Sequence, residues 1–72
     1  MRGVKVTKSK HTETGRIYDY PIVNEKYELL FSQAMFHQFM QEGCDGEVYV
    51  VAVIEYRGGK VETVPVSAIT FL

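Results

Sequence analysis

A single cysteine, Cys44, stands in this 72-residue chain. One thiol excludes an intramolecular disulfide framework and any zinc site built from several cysteines. Long apolar runs are also missing. The longest, residues 48–54, has seven members, far short of the roughly 20 that a membrane-spanning helix needs. The opening residues, Met1-Arg2-Gly3-Val4-Lys5, hold no apolar stretch of signal-peptide type, so the expected compartment is the cytoplasm. Charge of one sign is not in large excess either. A net charge of −1 excludes a globally basic nucleic-acid coat and a globally acidic tail.

What is present is an ordinary globular mixture. Apolar residues make up 46% and charged residues 24%, which argues against disorder. The length allows one domain, residues 1–72, that buries about 60–65% of the surface its unfolded chain exposes. Residues 2–10 alternate, with Val4 and Val6 on one side, and read as a strand. His11 to Gly15 reads as a loop, and residues 16–23 as a returning strand that Pro21 confines to an edge. A five-residue loop would set Val4 opposite Ile22, Val6 opposite Tyr20, Lys8 opposite Tyr18 and Lys10 opposite Arg16.

Asn24 then offers an N-cap oxygen, Glu25 and Glu28 suit the first turn of a helix, and Gly43 suits its end. The pattern predicts a helix from Asn24 to about Glu42. Residues 47–56 are apolar at both parities over most of their length, which predicts a strand buried on two faces. Arg57-Gly58-Gly59-Lys60 reads as a hairpin turn that would set Glu55 opposite Glu62. Residues 61–66 return, and residues 69–72 add a short extended piece that could pair with the first or the fourth strand. The expected fold is therefore α+β in the order β-β-α-β-β, a small antiparallel sheet with one helix packed on it. The alternative is a sheet bent into an SH3-like small barrel with the helix inserted.

The expected helix carries two apolar stripes. Tyr27, Leu30, Phe31, Ala34 and Met35 form one; Leu29, Phe36 and Met40 lie on the far side, with His37 on the flank. One sheet covers one stripe, so the second predicts a surface for self-association or for another protein. Charge is also unevenly laid out. Arg2, Lys5, Lys8, Lys10 and Arg16 face only Glu13 in residues 1–16, which gives that segment +4 and leaves −5 for the remainder. A basic first hairpin with Tyr18 among the cations suggests contact with a nucleic acid or an acidic partner.

Catalytic chemistry finds little support. His11 and His37 lie on separate elements without ligands at metal spacing. Cys44 sits among Glu42, Asp45 and Glu47, which oppose a thiolate. Asp45-Gly46 reads as a turn and not as a calcium loop. The expectation is a non-enzymatic protein without cofactor or metal, a small regulatory or interaction domain that self-associates. Stoichiometric inhibitors and adaptors, including those of mobile elements, fit such a design. The alternative is a nucleic-acid-binding domain using the basic hairpin.

Overall fold

A computed structural model describes residues 2–72, apart from the side chain of Cys44. Six strands form one antiparallel sheet: β1 (Arg2–His11), β2 (Ile17–Tyr18), β3 (Tyr27–Cys44), β4 (Glu47–Tyr56), β5 (Val61–Pro65) and β6 (Ile69–Phe71). A single 3-10 turn, Val66–Ala68, joins the last two. Strand order is β2-β1-β3-β4-β5, and β6 returns to pair with β1. The sheet thereby curls into a half-barrel with its core on the concave face.

The expected helix does not exist. Its residues are the eighteen-residue strand β3, and among the described residues there is no α-helix to pack on the sheet. The α+β class, the β-β-α-β-β order and the helix-borne interface are therefore corrected to an all-β half-barrel. Two stripes on opposite sides of a helical wheel are also what a strand with apolar residues on both faces produces. Leu, Met, Gln, Glu and Ala favour a helix by tenths of a kcal/mol each. Here they are outweighed by ladders on both sides, to β1 and to β4. Asn24 does accept a backbone hydrogen bond, from the Lys26 N–H at 2.9 Å, but the turn it closes launches a strand.

Both hairpins differ from the expected register by one residue. Tyr18 pairs with Ser9, and Ile17 with Lys10. The expected partners of Val4 and Val6, Ile22 and Tyr20, are replaced by Phe71 and Ile69 of β6. At the other hairpin Glu55 pairs with Val61, while Glu62 lies beside Ile54. A shift of one flips every side chain to the opposite face. It moves Tyr18 to the convex face and Glu62 to the concave one, and it removes the like-charged Glu55–Glu62 pair.

Val4, Val6, Ala34, Ala52, Ile54, Val64 and Ala68 form the buried core, with Phe36, Tyr56 and Ile69 packed against it. These side chains alternate along their strands and meet because paired antiparallel residues share a face: Val4 with Ala34, Phe36 with Ile54, Ala52 with Val64. The strand at residues 47–56 is buried on two faces only from Val51 to Ile54; residues 47–50 are exposed.

A β-bulge at His37, between the Phe36–Ile54 and Gln38–Val53 pairs, divides β3. Before it, residues 27–36 pair with β1. After it, among the described residues, only β4 pairs with β3. Because β5 ends opposite Val51, the far part of the β3–β4 hairpin is two strands wide. The Cα radius of gyration, 13.0 Å, exceeds the about 11 Å of a compact domain this long, as a projecting arm requires. Asp45 and Gly46 turn the arm with φ of 54° and 82°, a two-residue turn whose twist matches the strands.

Ile54 is fully buried at the centre of the core. Ile54→Ala is expected to lower stability by about 2–4 kcal/mol, whereas exposed Ile17→Ala lowers it by under about 1 kcal/mol. Urea unfolding of both variants checks this contrast.

Candidate functional site

The two expected interaction surfaces are redistributed. Leu29 lies on the convex face opposite Ser9, half-buried, whereas Phe36 is on the concave face against the core. Met40 lies beyond the bulge, on the order of 30 Å along the strand from Leu29. His37 occupies the bulge itself, with Nε2 2.7 Å from Glu55 Oε1. A helix would have gathered Leu29, Phe36 and Met40 within three turns; a strand spreads them over two faces.

The cations of the first hairpin are likewise separated. The Arg2 guanidinium lies 4.5 Å from the centre of the Phe71 ring, and Lys5 Nζ lies 4.9 Å from that of Phe31. Those two rings are on opposite faces. Lys8 points into the concave side, where Nζ donates to Glu62 at 2.8 Å and stands 3.3 Å from Asp19. Lys10 faces Glu28 across the ladder. Arg16 alone keeps company with Tyr18, 5.1 Å from its ring. Tyr18 in turn packs edge-on against Tyr20 and Tyr27, and His11 against Tyr27. These rings anchor the long loop after β1. Ser9 reinforces the anchorage by donating to the Tyr20 carbonyl and accepting from the Ile22 N–H.

Lys8 has a structural task. It joins β1 to β5 across the mouth of the curl, with Tyr56 alongside. Burial alone would lower its pKa, but the hydrogen bond it donates to Glu62, together with the charges of Tyr56, Glu62 and Asp19 nearby, raises it above its ordinary value of 10.5. An ammonium held this way acts as a strut between the two strands. No group of three His, Cys, Asp or Glu side chains converges among the described residues. A shallow convex-face groove is lined by Gly3, Gln33, Met35, Glu55, Arg57 and Leu72; its one carboxylate already engages His37.

The arm gathers five uncovered apolar side chains; Val23, Phe31, Val61 and Leu72 are exposed elsewhere. Phe39 is 49% exposed, Met40 40%, Val48 67%, Tyr49 51% and Val50 47%. Phe39, Val48 and Val50 share the concave side, Met40 and Tyr49 the convex side. Phe39 reaches back to Phe36 and Phe71 at the edge of the core, while Met40, Val48, Tyr49 and Val50 stand exposed on the two faces of the ribbon. Among the described residues, none pairs with residues 37–44 on the β1 side of β3, and none with residues 47–50 on the β5 side of β4. A ribbon of two strands is marginal in water, and a bare strand edge is a template for pairing. Only Met40 of this group was among the expected contact residues. The signal for the rest was Asp45-Gly46 between two apolar segments, a strong hairpin pattern.

No protein-family model, no curated protein and no solved structure matches this chain. Among the described residues no helix is long and apolar enough to cross a membrane.

Lys8→Met strands Glu62 in a part-buried site and is expected to cost about 1–3 kcal/mol at neutral pH. Because the folded-state pKa of Lys8 is raised, its contribution is fully present below 10.5 and is lost as pH rises through the higher folded value. Unfolding curves of wild type and variant therefore converge only in strong alkali.

Proposed function

We propose that this chain is a non-enzymatic, self-associating interaction module of the cytoplasm whose docking element is the β3–β4 arm. The observation that carries the reading is the arm's exposure on both faces and along both edges. Five large apolar side chains stand exposed there, three on the concave face and two on the convex, and clustered exposed apolar surface is a mark of interaction sites. Covering them would contribute several kcal/mol at about 25 cal/mol per Å². The arm needs a partner to hide what its own half-barrel cannot reach.

Several features support binding over catalysis. The close acid–base contacts, Lys8 with Glu62 and His37 with Glu55, lie on opposite faces of the sheet and do not converge on one site. A role as inhibitor or adaptor would be stoichiometric, set by the arm's occupancy. A single thiol suits a reducing compartment.

The arm lies away from the core, so substitutions there separate association from folding. Wild type is expected to sediment as a dimer at tens of micromolar, roughly the range of modest interfaces. Val48→Lys combined with Val50→Lys is expected to sediment as a monomer with an unfolding midpoint within a few degrees of wild type. A wild type that remains monomeric at high concentration removes the reading. If that monomer shifts labelled single-stranded DNA at low salt, and Arg16→Glu abolishes the shift, the nucleic-acid alternative takes its place.

A further inference from the structure

We infer that His11 is a pH-operated latch on the loop between β1 and β2, closed while its imidazole is neutral and opened by protonation. The latch owes nothing to the arm or to self-association. His11 Nδ1 accepts hydrogen bonds from two backbone N–H groups of its own loop, Glu13 at 3.3 Å and Thr14 at 3.2 Å. A ring nitrogen that accepts holds a lone pair and no proton. The closed loop is therefore built on the neutral ring, with its proton on Nε2.

Side chains that accept from backbone N–H groups a few residues on are ordinarily those of Asn and Asp, as in Asx turns. An Asn oxygen accepts whatever the pH. His11 performs the same task with a group that changes charge between about pH 5 and 8. Once protonated, Nδ1 is a donor aimed at two donors, and both hydrogen bonds are lost. Neighbouring contacts confine the movement. Thr12 stays tied to the Lys26 carbonyl, by its N–H at 2.9 Å and its Oγ1 at 3.1 Å. Ile17 and Tyr18 stay paired with β1. What opens is the turn at residues 13–16, where the Gly15 N–H donates to the His11 carbonyl at 2.8 Å and the His11 N–H to the Arg16 carbonyl at 2.9 Å. Acid thereby loosens the segment that carries Arg16 over the Tyr18 ring.

The ionisable groups on the elements around the ring supply no substitute. Tyr27 of β3 packs edge-on against it at 5.0 Å, with Tyr18 of β2 behind. Glu13 and Arg16 lie in the loop, Lys26 on the segment entering β3, and Lys10 and Glu28 face each other one rung along the ladder. Among the described residues no carboxylate forms an ion pair with His11, so the closed loop offers an imidazolium no paired anion. His37 has the opposite arrangement. Its Nε2 lies 2.7 Å from Glu55 Oε1, a partner that holds the protonated ring in place. Acid strengthens that contact and breaks those of His11.

Nuclear magnetic resonance of the full chain between about pH 5 and 8 tests the latch. At the upper end His11 Nδ1 is expected to be unprotonated and Nε2 protonated, as their nitrogen shifts report. On acidification the Glu13 and Thr14 amides, corrected for the intrinsic pH dependence of exchange, are expected to exchange roughly tenfold faster. That change follows the titration of the His11 ring itself, while the Thr12 amide keeps its protection. His11→Asn supplies an acceptor that does not titrate and is expected to keep both amides protected throughout. His37→Gln and Glu13→Gln are expected to leave the wild-type response in place. A proton on Nδ1 at the upper end overturns the latch, as do Glu13 and Thr14 amides that ignore the ring's titration. So does a His11→Asn chain that responds as wild type does, or a response abolished by His37→Gln or Glu13→Gln. If His11→Asn does not fold, the first two results, both read on wild type, still decide.

Discussion

β3 is longer than any strand available to flank it. Eighteen residues of β3 meet ten of β1, and the overlap ends at Phe36. The rest of the architecture follows from that mismatch. Beyond the bulge at His37, among the described residues, β3 pairs with β4 alone, and a two-stranded ribbon leaves the half-barrel. The same strand therefore belongs to the core in one half and to the solvent in the other.

The curl of the sheet depends on β1 being shared. β3 takes one edge of β1; β2 and β6 divide the other. Returning β6 to β1 brings Ile69 and Phe71 over Val4 and Val6, and the small core of valines, alanines and Ile54 closes beneath them. The cost of that closure is a polar side chain at the mouth. Lys8 lies on the concave face at a depth where an unpaired ammonium would be unfavourable, and Glu62 and Asp19 compensate it. The positive hairpin is accordingly a set of separate local contacts, with Arg2, Lys5 and Arg16 each resting on a different ring. At the open end, Phe36 and Phe39 lie tilted against one another and each meets Phe71 edge-on, and Phe39 carries this cluster from the core into the arm.

Part of this was legible from residue order. The alternation of Val4 and Val6, the two-sided apolar segment ending at Ile54, and the turns at Asp45-Gly46 and Gly58-Gly59 all stand where local chemistry puts them. The period of the segment around Leu29, Phe36 and Met40 was misassigned: Phe36 packs against the core, Leu29 is half-buried and Met40 is exposed on the arm. A wheel at 100° and a ladder at 180° both place apolar residues on two sides when the segment is rich in them. Helix formers and a capping asparagine then tip the local balance toward the wrong element. The two hairpin registers failed for a related reason: one residue more or less in a turn costs little locally, yet it decides which face Tyr18 and Glu62 occupy.

The sequence alone determined the absence of a disulfide framework and the uneven charge along the chain. These are sums and local patterns, and they do not depend on what lies beside what. Tertiary structure alone decided that residues 27–44 are a strand, that Lys8 is a strut, and that the uncovered surface is a ribbon. Strand pairing is energetically a property of partners distant in sequence. Its outcome for β3 was set by how far β1 and β5 extend alongside.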